Sequence, residues 1–282
     1  MNSSEENVTS TTRDDWDRHW DDYSQCAHAN PALEYRRRVI FSLLNLRNSG
    51  SGVRLLDIGS GQGDMAAAVR ARFPSAQLLG LELSQSGVEI SRQKVPEARF
   101  VQRNLLEKVE VPEDQRGWAT HAVCSEVIEH VDDPRQLLES ARDYMSSGCL
   151  LVVTVPGGPM SSFDRYIGHR KHYKSSDIGT LFREVGYETE QISRAGFPFF
   201  NLYRWLVVLR GDKIIRDATA RQNRPASLSA RVAMGIFAPL FHLNFDSSPW
   251  GWQMVGTARV PKLSEQSTPQ ETIPLEPGAK QP

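Results

Sequence analysis

Hydrophobic positions along the chain change repeatedly between two spacings. Short, nearly continuous apolar runs at 53–58, 77–83 and 121–125 are typical of buried strands, and a weaker run at 99–102 predicts one more. The segments that follow the first two runs carry apolar residues at every third or fourth position, which is typical of one helix face. Strands that alternate with helices in this way predict a parallel sheet with helices packed on it.

The middle of the chain continues this alternation with a clearly marked helix start. Asp133 is a favourable N-cap, and Pro134 occupies the first helical position. The apolar spacing extends this helix through Met145, and we expect Gly148 to end it. The continuous apolar run at 149–155 then predicts a central strand covered on both faces.

The last part of the chain predicts further elements of both kinds. A helix face is expected at 178–185, and two strands at 187–193 and 250–260. Between these strands lies an apolar, aromatic-rich segment at 197–245, which predicts a helical insertion.

The two ends of the chain differ in composition from the rest. The start is rich in Ser, Thr and Glu, and 261–282 holds five of the sixteen prolines. Such segments bury too little apolar surface to offset chain entropy, so we expect disordered tails at 1–14 and 261–282. The intervening 15–260 is expected to form one domain.

Composition and charge exclude several classes of protein. The 282 residues include 33 Lys and Arg against 34 Asp and Glu, so bulk electrostatic binding of nucleic acid is not expected. The chain lacks a signal-like apolar start and any run of about 20 apolar residues, so we expect neither export nor a transmembrane segment. The three cysteines fit reduced thiols, and the expected location is the cytoplasm.

A glycine loop after the first strand supplies the clearest candidate chemistry. Asp57 ends that strand, and Gly59, Gly61 and Gly63 follow it just before a helix. Glycines there allow a tight turn and close approach of a ligand to the backbone, which favours a nucleotide-like ligand. Glu82 ends the neighbouring strand, where a carboxylate can accept hydrogen bonds from ribose hydroxyls.

The glycine spacing differs from that of dinucleotide dehydrogenases. Those enzymes carry Gly-x-Gly-x-x-Gly, and counting from Gly59 and Gly61 the last of these positions is Asp64. A nicotinamide-dependent oxidoreductase therefore remains only an alternative.

The motif Leu-Leu-Asp-Ile-Gly-Ser-Gly-Gln-Gly at 55–63, followed by Leu-Glu at 81–82, resembles the class I S-adenosylmethionine-dependent methyltransferases. The resemblance extends over roughly 16–260 and implies a Rossmann-like α/β fold, with a seven-stranded sheet, an antiparallel last strand beside the fifth, and helices on both faces. It also implies S-adenosyl-L-methionine as cofactor. The cofactor-binding residues it assigns are Asp57, Gly59, Gly61, Gly63, Glu82, Asn104, Leu105 and Ser125, with Asn104 standing where the family often has Asp.

An aromatic segment near the start matches the same family. Trp16, Trp20 and Tyr23 resemble the lead-in segment that often folds over the bound cofactor. Alternatively, these rings simply anchor the segment to the core.

The end of the fourth strand carries the candidate catalytic groups. Glu126, Glu129 and His130 are spaced i, i+3 and i+4, so a helical turn would place them on one side. The run resembles ubiquinone-pathway O-methyltransferases and small-RNA 2′-O-methyltransferases, whose Glu-x-x-Glu-His residues hold a metal. This resemblance implies a divalent cation on Glu126, Glu129 and His130, with His169 or His172 as a further ligand. Alternatively, His130 with Glu129 acts as an unaided base or substrate contact, or the turn is purely structural.

These observations predict a methyltransferase acting, at oxygen, on a small or partly apolar metabolite above the fourth and fifth strands. The helical insertion is expected either to close that space or to pack as ordinary core. Its cations, Arg204, Arg210, Lys213 and Arg216, lie among apolar residues and permit a weak membrane-surface contact. A catalytically silent cofactor-binding module that acts through a partner is the other alternative.

Overall fold

The computed structural model describes Trp16 and residues 31–48, 52–108, 110–219 and 228–262. Its centre is a seven-stranded sheet of order β3-β2-β1-β4-β5-β7-β6, in which β7 runs antiparallel to both β5 and β6. The strands are β1 (Arg54–Ile58), β2 (Gln77–Glu82), β3 (Arg99–Gln102), β4 (Ala119–Ser125), β5 (Met145–Pro156), β6 (Glu188–Ala195) and β7 (Gln253–Arg259). The predicted sheet, with an antiparallel last strand beside the fifth, is confirmed.

Eight helices are described around this sheet. They are α1 (Pro31–Leu44), α2 (Asp64–Arg72), α3 (Gln85–Lys94), α4 (Pro134–Arg142), α5 (Ser162–Tyr166), α6 (Ser175–Val185), α7 (Phe199–Thr219) and α8 (Leu228–Leu240). The short helix α5 has no periodic apolar pattern and was not predicted. Helices α7 and α8 occupy the predicted insertion. Within the described parts of the chain, no helix is long and apolar enough to cross a bilayer.

Alternate residues of the strands enter two separate cores. Leu56 packs with β4, β5 and the apolar faces of α4 and α6, whereas its neighbour Leu55 packs with α1, α2 and Phe200 of α7. Both leucines are fully buried. Because strand side chains point alternately to opposite faces, continuous apolar runs such as β1 and β5 cover both faces of the sheet.

The prediction that α4 continues through Met145 is wrong. The helix ends at Arg142, and Tyr144 already bonds to Ala119 through its carbonyl oxygen, so the chain enters the sheet at Met145. Gly148 adopts a φ of 76°, and between Met145 and Leu150 the pairing with β4 shifts in register. The glycine therefore lies in an irregular part of β5. The apolar spacing across Tyr144 matches that of a helix, although the chain is no longer helical there.

The tails expected at 1–14 and 261–282 lie outside the described residues, except for Pro261 and Lys262. Their predicted disorder stays a prediction.

Candidate active site

A cavity of about 340 Å³ lies at the carboxyl ends of β1, β2 and β4. This is the edge of a parallel sheet where ligands of α/β proteins bind. Its volume falls within the range of roughly 300–1,000 Å³ that is usual for small-molecule sites. The predicted cofactor residues that line it are Asp57, Gly59, Gly61, Glu82, Asn104, Leu105 and Ser125.

The glycine loop lines this cavity with Gly59 and Gly61, whereas the predicted cofactor residue Gly63 does not line it and is the N-cap of α2. Gly59, Gly61 and Gly63 all have positive φ, of 65°, 53° and 77°. A Cβ at Gly59 would lie 2.6 Å from a methyl carbon of Val127, and one at Gly63 would lie 2.7 Å from Cβ of Ser91. Both backbone conformation and space therefore require glycine at these two positions.

Glu82 is tied directly to the glycine loop. Its Oε2 accepts a hydrogen bond from the Gly61 amide at 2.8 Å, and its Oε1 accepts one from the Ser84 amide at 3.0 Å. The amides of Gly59 and Ser60 both donate to the carbonyl oxygen of Leu81. The carboxylate is thus held at the tip of β2, against the loop at the tip of β1.

Asp57 lies beneath the loop at the end of β1. It is 5% exposed, and its Oδ2 has no hydrogen-bond partner among the described residues. Burial, together with the neighbouring Glu82 and Asp64, raises the pKa of this carboxyl to about 7. A cationic ligand group beside Asp57 would favour its ionised form, so this end of the cavity suits a cation.

Three further predicted cofactor residues lie in the walls of the cavity. Leu105 is buried and apolar, whereas the Asn104 amide group is engaged locally, accepting from the Leu106 amide and donating to Glu107. Ser125 Oγ lies 2.9 Å from Thr154 Oγ1. Leu105 therefore offers an apolar contact, and Asn104 shapes its own turn.

The predicted helical turn across Glu126 and His130 is wrong in its first part. Glu126 adopts a φ of 58°, and only Ile128–His130 forms a short 3₁₀ turn. Glu126 instead accepts from Gln253 at 2.8 Å through Oε1 and pairs with Arg36 at 3.4 Å through Oε2. Its side chain is held at the cavity wall and does not belong to the cluster of Glu129, His130 and His169.

Glu129, His130 and His169 form a close cluster behind this wall. One ligand atom from each lies within 4.8 Å of the other two. Glu129 is fully buried, and neither of its carboxylate oxygens has a hydrogen-bond partner among the described residues. Burial raises the pKa of Glu129 well above its usual range, and the nearby Glu126 adds to this. His130 lines the cavity, whereas Glu129 and His169 lie deeper.

A second layer of polar groups supports His169. Its Nδ1 lies 3.3 Å from Nε2 of His172, whose own Nδ1 lies 3.1 Å from the carbonyl oxygen of Gly158. Burial lowers the pKa of His169 to about 4 and lowers that of His172 as well. Both rings are therefore neutral at neutral pH. The predicted alternative ligand His172 is thus hydrogen-bonded to His169.

Asp164 joins this layer to the helical insertion. It is 1% exposed and accepts from Ser161 and, through both oxygens, from Arg204 of α7. Asp164, His169 and His172 also form a close acidic and imidazole group, but the guanidinium already occupies the carboxylate.

Arg170 fastens the loop that carries His169 to the 3₁₀ turn. Its amide donates to the Glu129 carbonyl oxygen at 2.7 Å, and its guanidinium donates to the His130 carbonyl oxygen and pairs with Asp132 at 2.7 Å. The two segments that supply the cluster are therefore held together by contacts of Arg170 that do not involve the imidazoles.

Of the aromatic segment Trp16, Trp20 and Tyr23, the structure describes only Trp16. The Trp16 ring lies edge-on to His130, with centroids 4.8 Å apart, and lines the cavity. Trp20 and Tyr23 lie outside the described residues.

Several site residues were not predicted from the sequence. Arg36 and Arg37 of α1 reach the cavity, and Gln253 of β7 orients Glu126. An arginine run in a helix with an apolar stripe, at 36–38, was the only available signal for the first two. No sequence signal predicted the pairing of Asp164 with Arg204, because these residues come together only in the tertiary fold.

Comparison with known proteins identifies the family. Residues 32–192 match the family described as "Methyltransferase domain", which is more than half of the chain. The chain therefore belongs to this family of S-adenosylmethionine-dependent methyltransferases. The resemblance stated from the glycine motif is confirmed, and the oxidoreductase and silent-module alternatives are not favoured.

Curated relatives share only part of their length and transfer methyl groups to different atoms. One is the ubiquinone biosynthesis O-methyltransferase of Acinetobacter baylyi, 20% identical over 173 residues, covering 55% of this chain and 72% of the relative. Another is the ubiquinone/menaquinone biosynthesis C-methyltransferase of Citrifermentans bemidjiense, 26% identical over 186 residues, covering 64% and 79%. Coverage of other relatives falls to 37% of their length.

A solved structure shares the fold. The plantazolicin methyltransferase BpumL in complex with SAH (S-adenosylhomocysteine) superposes with a TM-score of 0.55 at 13% identity, covering 86% of this chain and 89% of that one.

Proposed function

We propose that the chain transfers the methyl group of S-adenosyl-L-methionine to an oxygen atom of a small, partly apolar metabolite. The observation that carries this proposal is the continuity of one cavity from Glu82 and the glycine loop to His130. The first end suits a ribose and a cationic amino-acid group. The second end presents an imidazole to an acceptor held nearby.

The residues support a simple division of roles. Glu82 would accept hydrogen bonds from the ribose hydroxyls, and ionised Asp57 would face the cationic end of the cofactor. Methyl transfer from a sulfonium needs alignment and exclusion of water more than acid catalysis. His130, at the cavity wall beside Trp16, would accept the proton of an acceptor hydroxyl.

A divalent cation on Glu129, His130 and His169 is the alternative to the unaided base, because His130 cannot both bind the cation and accept the proton. One carboxylate and two imidazoles suit Zn²⁺, Fe²⁺ or Mn²⁺. The fully buried oxygens of Glu129, which have no hydrogen bond among the described residues and of which Oε1 lies 4.0 Å from Nε2 of His130, fit such a ligand set. Bound there, the cation would supply Lewis-acid polarisation of acceptor oxygens. Glu126, included among the predicted ligands, is instead engaged by Arg36 and Gln253.

The proposal places this activity in one domain at 15–260, with the 197–245 insertion on the acceptor side, and in the cytoplasm. Two buried free thiols, Cys124 and Cys149, support the cytoplasmic location.

The experiment supplies deuterated-methyl S-adenosylmethionine and a pool of small metabolites, and mass spectrometry then identifies labelled products. We expect the label on hydroxyl-bearing metabolites as a methyl ether or ester. Products labelled only at nitrogen or carbon would contradict the oxygen assignment. His130→Gln should reduce turnover by about 10²-fold or more, whereas His242→Gln, at an exposed histidine bonded to Arg38, should leave it unchanged.

The cation is tested in the same assay. Treatment with a chelator should abolish turnover, and one of Zn²⁺, Fe²⁺ or Mn²⁺ should restore it. Full turnover in chelator would remove the cation from the proposal and leave the unaided base.

A further inference from the structure

The exposed face of α7 forms an apolar stripe. Leu202, Trp205, Leu206 and Leu209 are 50%, 47%, 40% and 73% exposed. Their spacing of i, i+3, i+4 and i+7 aligns them along one side of the helix. We refer to these four residues as the α7 stripe. Exposed large apolar side chains in such a continuous arrangement mark a contact surface.

The opposite face of α7 is fixed to the protein, which leaves the stripe largely exposed. Phe200 is buried with Tyr35 and Phe241, and Arg204 is bound to Asp164. The stripe therefore points outward because of how the helix is anchored.

The charge around the stripe favours an anionic partner. Lys213 follows Leu209 by one helical turn and lies exposed in line with the stripe, and Arg210 is exposed beside it. Across 197–250 the chain carries seven Lys or Arg, of which Arg204 is paired with Asp164, against three Asp, whereas the whole chain has a net charge of −1. The basic excess is thus concentrated on the segment that carries the stripe.

We propose that the α7 stripe is a docking surface for an anionic lipid membrane. A helix that lies in the plane of the interface inserts its apolar side chains, with tryptophan at headgroup depth and Lys or Arg attracted to acidic lipids. A second copy of this chain suits the surface less well, because a symmetric pair would bring the same basic residues together.

The position of the stripe relates it to the active site. The Trp205 ring lies 5.5 Å from that of Trp252, and Trp252 packs against Gly158, whose carbonyl oxygen lies 3.1 Å from Nδ1 of His172. A membrane beneath the stripe would thus lie next to the loop that supports the His169 cluster. A partly apolar acceptor could reach the protein from that side. Vesicle binding itself does not depend on which acceptor is methylated.

The test is flotation of the full chain with lipid vesicles. Vesicles of phosphatidylcholine and phosphatidylglycerol at a ratio of about 2:1 should carry the protein, and phosphatidylcholine alone should carry much less. Leu209→Glu should weaken binding by about tenfold or more, since it removes an inserted leucine and adds a repelled charge. Lys213→Glu should also weaken it and reduce its salt dependence.

Gln93→Glu is the matched control. It adds the same charge at an exposed position of α3, which packs on β2 and β3, and should bind as the wild type does. S-adenosylhomocysteine binding by each variant verifies that the variant is folded. If neither the wild type nor any variant binds S-adenosylhomocysteine, the result contradicts the proposed function and leaves the membrane-docking proposal untouched. Absence of binding to the acidic vesicles, or Leu209→Glu binding like the wild type, would overturn the proposal. So would a wild-type dimer that Leu209→Glu dissociates.

Discussion

The His169 Nδ1 atom lies 3.3 Å from Nε2 of His172, and this contact sets the tautomer of His169. The Gly158 carbonyl oxygen can only accept, so Nδ1 of neutral His172 carries the proton and its Nε2 accepts from His169. His169 therefore keeps its proton on Nδ1. Its Nε2 then carries the lone pair and is the atom that can bind a cation or accept a hydrogen bond.

This tautomer is directly observable. Two-bond proton–nitrogen correlation spectra of the wild type at neutral pH should show His169 protonated at Nδ1. In His172→Phe, the population protonated at Nε2 should increase because the acceptor is gone. His169 protonated at Nε2 in the wild type would contradict the hydrogen-bond chain. A metal-binding measurement with Co²⁺ should show about 10- to 100-fold weaker affinity in His172→Phe, with His242→Phe unchanged.

Asp57 makes stability depend on pH. Its pKa is about 7 in the folded protein and near 3.8 when unfolded, so the folded state alone keeps the proton between these values. Stability should therefore fall as pH rises from about 4 to about 7, by up to about 1.4 kcal/mol per pH unit. Denaturant unfolding at several pH values should show a smaller fall in Asp57→Asn. An equal fall in both proteins would contradict this assignment.

Glycine at position 59 is required by both conformation and space. Gly59→Ala places a side chain at a φ of 65° and 2.6 Å from Val127, so unfolding should require about 1–3 kcal/mol less free energy. Gly235→Ala is the control with the opposite sign. It lies in α8 with nothing within 4 Å of its added Cβ, and should stabilise by about 0.5–1 kcal/mol. Equal effects of the two substitutions would contradict the argument.

The Asp164–Arg204 ion pair is expected to anchor α7. Burial alone would raise the pKa of Asp164, but Arg204 and the Ser161 hydrogen bonds lower it below its ordinary value. Arg204→Met leaves a carboxylate that is 1% exposed without its cation, so stability should drop by about 3 kcal/mol or more. Arg135→Met, at an exposed pair with Glu139, should change little by the same unfolding measurement. A small effect at Arg204 would mean that α7 is held by its apolar contacts alone.

The sequence predicted those parts of the fold that depend on local pattern. Leu55 and Leu56 were expected in a buried strand, and Asp133 caps α4 through the Gln136 amide as its type predicts. The pattern failed at Tyr144, where sheet pairing overrode a helical spacing.

The candidate site shows the same limit. Glu82 was predicted because it ends the strand next to β1, and the carboxyl ends of parallel strands lie at the same edge of the sheet. The positive φ of Glu126 and the pairing of Arg204 with Asp164 depend on distant segments, and no spacing along the chain encodes them.

The most direct measurement is calorimetric titration of the wild type with S-adenosylhomocysteine, beside Glu82→Ala and the exposed control Glu184→Ala. We expect binding by the wild type and by Glu184→Ala, loss of affinity by about tenfold or more in Glu82→Ala, and no binding of NAD. Glu82→Ala should remain folded, although the Gly61 and Ser84 amides lose their acceptor and its thermal stability falls. Binding of NAD but not of S-adenosylhomocysteine, or full affinity without the Glu82 carboxylate, would contradict the account.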